Sequence, residues 1–346
     1  MSKTLQDYAT LINDTIQSNE INHYITTDNM CQNLGGIDTF KNINIPQGKV
    51  RSFQKDDVLL SNIRLYFRKV YRAKQKGGCS SDVLVFRAKH IDSATLFAIL
   101  SSQIFTDYAC SGSQGSKMPR GNKTHMMDFK IPTINFTIAK IFNSIQNKIE
   151  NNHKINELLH TLAYKIYEYY FKYKSKNAKL EQIIIENPKS SIMVKNAQKT
   201  QDKYPFFTSG DNILSYPKAI IDGRNCFLNT GGNAGIKFYV GKASYSTHTW
   251  CICANEFSDY LYLLLSSIRT HINQRFFQGT SLKHLQKNLL KKYPIYMPSV
   301  HEIKKFNQII MPLLTLISIN TRTSKKLEQI RDFLLPLLLK QQVKPQ

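Results

Sequence analysis

From Thr137 to about Lys174 the chain runs without a single Pro or Gly. Over that span Ile138, Ile141, Phe142, Ile145, Ile149, Ile155, Leu158, Leu159, Leu162, Ile166, Tyr167 and Tyr170 recur mainly three or four residues apart. That spacing keeps one face of a helix apolar. A helix of about 38 residues is roughly 57 Å long at 1.5 Å per residue, longer than a compact domain is wide, and so predicts a spacer or strut. A similar stretch closes the chain, from Ser299 to about Lys340. It opens with Ser299-Val300-His301-Glu302, the spacing of a capping box. Pro312 is expected to kink or split this second helix after Ile310, and Pro336 to do likewise near its end. The lysine-rich link from Lys172 to Lys179 suits the negative end of a helix dipole.

The second helix belongs to a wider repeat. Leu100-Ser101-Ser102 recurs as Leu265-Ser266-Ser267, Gly115-Ser116 as Gly279-Thr280, and Ile131-Pro132 as Met297-Pro298. Within the helices Phe142-Asn143 recurs as Phe306-Asn307, Ile145 as Ile309, and Ile155-Asn156 as Ile319-Asn320. A period of about 164 residues is several times that of stacked solenoid repeats, so a whole domain is duplicated. The expected organisation is α+β: a domain over 1–134, a helix over 135–180, a second domain over 181–298 and a second helix over 299–346.

In the first domain Leu5 to Ile16 reads as helical and Ala94 to Tyr108 has helical spacing, while Asp57–Ile63, Ser81–Phe86 and a short segment ending at Ile131-Pro132 read as strands. In the second, strand-like segments at Tyr204–Gly210, Ile220–Gly223, Asn225–Thr230 and Ile236–Val240 alternate with glycine turns. The early parts of the two copies scarcely resemble each other. The common part therefore reads as scaffold, and the divergent part as a reading surface.

Lys and Arg outnumber Asp and Glu 47 to 24, a net charge of +23. Such an excess points to a polyanion, nucleic acid first, since the basic residues are not gathered beside one amphipathic membrane anchor. No apolar run approaches the length that crosses a bilayer, and no signal peptide fits the first residues. The six cysteines form no C-x-x-C pair and read as buried free thiols of a reducing cytoplasm.

Two segments carry the chemistry of nucleic-acid binding. Gly112 to Asn122 sets Lys117, Arg120 and, just beyond, Lys123 among glycines and hydroxyl residues such as Ser116. In such a loop backbone amides approach phosphates while Arg and Asn122 reach further. Its counterpart holds Thr280, Ser281 and Lys283. Asn62-Ile-Arg-Leu-Tyr-Phe-Arg-Lys69 alternates basic and aromatic residues, and there Asn62 suits adenine, Arg64 guanine, and Tyr66 stands between them. Gly231 to Lys242 misses the phosphate-loop spacing, with five residues between Gly235 and Gly241 and Ala243 where a magnesium-binding hydroxyl belongs, so a tight turn is expected. His153 and His160 stand seven apart, too far along a helix to share a metal. Asn187-Pro188-Lys189 lacks the aromatic ending of an adenine methyltransferase motif, no glycine fingerprint marks a methyl-donor site, and Glu302-Ile303-Lys304 reads as a cap. The chain alone is expected to catalyse nothing.

Tyr24–Met30, Asp57–Arg64, Ser80–Phe86, Gly115–Asn122, the helix after Ile131-Pro132 and the closing Leu327–Leu338 segment together resemble the specificity subunit of type I restriction-modification systems. The resemblance covers essentially the whole chain. It implies two target recognition domains in opposed orientation, held apart by two helices packed as an antiparallel coiled coil. Each domain reads one half of a bipartite site in double-stranded DNA. Two modification subunits dock on the helices and methylate adenine with S-adenosylmethionine, and restriction subunits, where present, add ATP- and Mg-dependent translocation and cleavage. This chain itself binds no cofactor or metal and spans no membrane. Asn62, Arg64, Tyr66, Ser116, Lys117, Arg120, Asn122, Lys123, Thr280, Ser281 and Lys283 are its DNA-facing residues on this view. Two departures stand out: Pro312, and Leu282-Lys-His-Leu285 where the first copy has Met-Pro-Arg-Gly. The alternative is a helical adaptor, or a specificity module of another methyltransferase system, whose basic surface is incidental.

Overall fold

The computed structural model describes residues 3–38, 43–131, 134–197, 203–210, 213–279 and 282–339. The chain divides into two compact units, one made of residues 1–151 with 326–346 and the other of residues 152–325. The fold is α+β in both, and each of the two long helices supplies residues to both units.

In the first unit a one-turn helix, Leu5–Tyr8, is closed by a reciprocal bond in which the Thr4 amide donates to the Asp7 carboxylate at 2.6 Å. The helix expected to run on to Ile16 ends there. Ala9–Ile12 is instead a strand, because its backbone pairs antiparallel with Val83–Ala88 and its Ala9 side chain is buried there. Non-local pairing thus overrides a local helical pattern. The strand order is Ala9–Ile12, Val83–Ala88, Val58–Ser61, Val70–Arg72. The helix Ser93–Leu100 is buried from Thr95 to Leu100, and the helix Gln103–Ser111 follows after a break where Ser102 caps the Phe105 amide. Near Ile131 only a bridge between Thr4 and Lys130 forms in place of the expected strand, and Pro132 lies outside the described residues.

The second unit repeats this sheet. Ile185–Glu186, Thr249–Cys253, Arg224–Asn229 and Ile236–Val240 hydrogen-bond in the same order, with the same antiparallel pairings. Small polar details repeat as well. Ser102 Oγ donates to the Ile99 carbonyl at 2.7 Å, and Ser267 Oγ to the Leu264 carbonyl at 2.7 Å. The Leu5 amide donates to the Phe129 carbonyl, and the Leu180 amide to that of Tyr293, both at 2.9 Å. The duplication therefore covers the globular parts too. The second sheets diverge: the first unit has four strands, Thr15–Gln17, Lys49–Phe53, Gly77–Cys79 and Tyr24–Ile25, whereas the second has three, Leu214–Tyr216, Tyr204–Phe207 and Ser244–Tyr245.

The first long helix spans Phe136–Tyr167 and continues as a π-helical turn, Glu168–Lys172, where Glu168 pairs with Lys165 and Lys172. The second spans Val300–Leu338 without interruption. Its capping box is formed, the Ser299 amide donating to Glu302 Oε2 at 2.9 Å and the Glu302 amide to Ser299 Oγ at 3.3 Å. Pro312 and Pro336 do not split it. Both lie on its exposed side, where water can satisfy the carbonyl that loses its partner, and neighbouring Ile310, Leu314 and Leu335 are anchored in the cores.

The helices run antiparallel inside each unit. In the first, the Asn135 amide donates to the Leu338 carbonyl at 3.1 Å and Arg331 donates to Gln146. In the second, Asn152 donates to Ser324 Oγ at 3.1 Å and Asn320 donates to Asn156 Oδ1 at 3.0 Å. Asn156 and Asn320 are repeat counterparts, so here a residue faces its own copy, as self-complementary pairing of equivalent helices requires. Phe142 and Phe306, another counterpart pair, are each fully buried, one in either unit.

Candidate nucleic-acid interface

Strand Val58–Ser61 leaves the first sheet into a tight turn. Arg64 and Arg68 adopt left-handed backbone, φ 51° and 49°, on either side of a single 3-10 turn, Leu65–Phe67. The loop from Gly112 docks against this turn. Gln114 and Arg120 exchange backbone hydrogen bonds of 2.9 and 2.8 Å, which closes a small hairpin whose Gly115 has φ 97°. The Gly121 amide then donates to the Asn62 carbonyl at 3.1 Å, and the Arg64 amide to the Pro119 carbonyl at 2.9 Å. The two basic segments, fifty residues apart in sequence, thus form one surface.

On that surface Ser116, Lys117 and Met118 are exposed at the tip. Arg120 stays 62% exposed while its guanidinium is held by Asp82 at 2.9 Å, an orientation that leaves donors free for a phosphate or a base edge. Arg64 donates to the Lys117 carbonyl at 3.2 Å and lies over the Phe67 ring at 6.0 Å. Tyr66 is half exposed and packs edge-on against Phe67. Asn122 caps the short helix Lys123–Met127 by accepting from the His125 amide at 3.1 Å, with Lys123 exposed beside it. Asn62 is only 8% exposed, and its side-chain oxygen sits against Gly121 behind the loop.

The second unit builds the same device. Gln278 pairs with His284 as Gln114 pairs with Arg120, and Gly279 has φ 138° where Gly115 has 97°. The Leu285 amide donates to the Thr230 carbonyl at 3.0 Å and the Gly232 amide to the Lys283 carbonyl at 2.9 Å, matching the two docking bonds of the first loop. Every loop position corresponds at an offset of 164 residues. The segment Leu282–Leu285 therefore completes a hairpin, and the helix starts only at Lys287. Lys283 contributes its carbonyl to the docking; Thr280 and Ser281 lie outside the described residues.

Two roles escaped the sequence reading. The glycine turn Gly231–Gly235, a failed phosphate loop by spacing, occupies the place of the Asn62–Arg68 turn and docks the second hairpin. Lys287, the counterpart of Lys123, lies over the Trp250 ring at 5.1 Å, and burial there pulls its ammonium below the ordinary lysine value. A 164-residue offset carried through from Lys123 would have found it.

Residues 172–329 match the family model described as the type I restriction modification DNA specificity domain. That segment, a little under half of the chain, is similar to a type I DNA specificity domain. Among solved structures, the type I restriction-modification system S subunit from M. genitalium is similar over 99% of this chain and 96% of its own, with 15% identity and a TM-score of 0.65. That likeness shows a common fold. The HsdS subunit from Thermoanaerobacter tengcongensis aligns over 98% of this chain and 96% of its own at 13% identity, with a TM-score of 0.37. No curated protein matches the sequence. The matched segment contains the paired strands Phe277–Gln278 and His284–Leu285, the turn that docks them and most of the second long helix.

Away from this surface the chemistry is structural. His160 packs on Tyr262, with Nδ1 3.2 Å from its hydroxyl, and burial lowers its pKa. All six cysteines are free; Cys79, Cys226 and Cys251 are buried, and burial raises each of these thiols well above its ordinary value. No helix among the described residues is long and apolar enough to cross a membrane.

Proposed function

We propose that this chain reads a bipartite site in double-stranded DNA, one half-site per unit, and directs adenine methylation by two modification subunits. Restriction subunits join the same complex for cleavage. The observation that carries this reading is the pair of equivalent hairpins, each docked by the same two backbone bonds and each bearing cationic residues. The matched specificity domain includes only the second of them, and the equivalence supports a second reader in residues 1–134.

Lys117, Lys123, Lys283 and Lys287 supply contacts to phosphates in this reading. Arg120 and Arg64, with orientations fixed by Asp82 and by the loop backbone, reach base edges. S-adenosylmethionine, ATP and Mg are held by the partner subunits, and this chain is non-catalytic. Docking of those partners suits the apolar residues that the long helices leave exposed: Ile155, Leu158 and Leu162 on the first, Ile309, Leu316 and Ile319 on the second.

Replacing residues 1–134 by the matching part of another specificity subunit is the experiment. Sequencing methylated adenines in the host genome should then show new bases in one half-site and the old bases in the other. Unchanged methylation motifs would favour the adaptor.

A further inference from the structure

Behind the first turn, Arg64–Arg68, lies a buried polar cluster that has no counterpart among the described residues of the second unit. Four of the seven non-glycine residues with positive φ, among the described residues, gather here: Asn33 (53°), Leu34 (61°), Arg64 and Arg68. Left-handed backbone is costly for a side chain such as leucine and persists where surroundings dictate it. Those surroundings are specific. The Asn33 amide donates to the Phe67 carbonyl at 2.9 Å and the Leu34 amide to the Arg68 carbonyl at 3.1 Å, so the Asn33-Leu34 pair grips the back of the turn.

That pair is held from the helices. Gln146, 1% exposed, donates from Nε2 to the Leu34 carbonyl at 2.6 Å. Arg331, 2% exposed, donates to Gln146 Oε1 at 2.9 Å and to the Asn33 carbonyl at 3.4 Å, and its neighbour Asp332 lies 4.0 Å from Arg68. Arg68 itself donates to the Ser101 carbonyl at 2.9 Å. A continuous chain of bonds thus joins both long helices to the turn that carries Arg64 and Tyr66.

The scaffold does not need this cluster. At the equivalent positions in the second unit, 164 residues away, stand Ile310 and Tyr167, both buried in its apolar core. Buried polar groups are retained at a cost where an apolar core would serve. The geometry points to Gln146 and Arg331 as positioning residues for sequence recognition: through Asn33 and Leu34 they set where the Arg64–Arg68 turn, and with it the docked hairpin, meets one half-site. This inference rests on the DNA-reading function.

The test replaces both partners at once, Gln146→Met with Arg331→Met, so that no buried cation is left unpaired. The full chain is purified from its host with its co-purifying subunits and offered randomised duplexes, and base preferences are read from the bound fraction. Discrimination at one half-site should fall about tenfold, the scale of one well-placed base contact, while the other half-site and non-specific affinity hold. A folded variant that keeps both half-site preferences overturns the inference alone. A native chain that selects no two-part motif overturns the proposed function and the inference with it. Should the variant not fold, amide exchange in the native complex decides. The Asn33 and Leu34 amides should slow when a selected duplex binds and not when a non-specific one does; indifference to both contradicts the proposal.

Discussion

Gly121 shows how tightly the proposed DNA-facing surface is set at the level of single residues. A Cβ there would run into Met126 Cε and come within 2.8 Å of Leu65 Cδ1 and 3.0 Å of Asn62 Oδ1. Gly121→Ala is expected to cost about 1–3 kcal/mol, as overpacking does, and to displace the hairpin from the Asn62–Arg64 edge. Chemical denaturation measures the first effect and loss of one half-site's base preference the second. His160 offers a test in pH. Burial lowers its folded pKa below the ordinary 6.5, so the unfolded chain takes up the proton first. Its contribution to stability is therefore present above about pH 6.5 and lost as pH falls from there through the lowered folded value. His160→Gln, able to keep a bond to Tyr262, should flatten the acid limb of a stability-against-pH profile; an unchanged limb would remove His160 from the account.

Among the elements, the long helices were the most legible from sequence. Their apolar period and the Ser299–Glu302 box are local signals, and both correspond to formed structure. The uninterrupted passage through Pro312 was not legible, because exposure of that position depends on which face the cores claim. Nor was Ala9–Ile12, whose strand character comes from Val83–Ala88 some seventy-five residues away. The reader surface divided in the same manner. Loop chemistry singled out Lys117, Arg120 and Arg64, but the burial of Asn62 and the role of the Gly231–Gly235 turn arise from docking bonds that no local pattern encodes. The helix pair also makes an energetic prediction. Asn156→Leu alone should cost about 1–3 kcal/mol by stranding the amide of Asn320, whereas the double change Asn156→Leu with Asn320→Leu should cost clearly less than the sum of the single changes. A double-mutant cycle in urea checks this, and additivity would deny the pair any coupling.

For the molecule as a whole, duplication explains the two sheets of one topology and the two docked hairpins together. On the proposed function, two divergent hairpins on one repeated scaffold would suit two different half-sites, since the docking bonds at their bases repeat while the tip sequences differ. Ser116, Lys117 and Met118 stand against Thr280, Ser281 and Leu282. Lengthening both helices should accordingly alter the spacer and leave the bases of each half-site alone. The most direct measurement is selection of bound duplexes from a randomised library by the intact complex. The account predicts two short motifs separated by a constant run of unspecified base pairs; one continuous motif, or none, would contradict it.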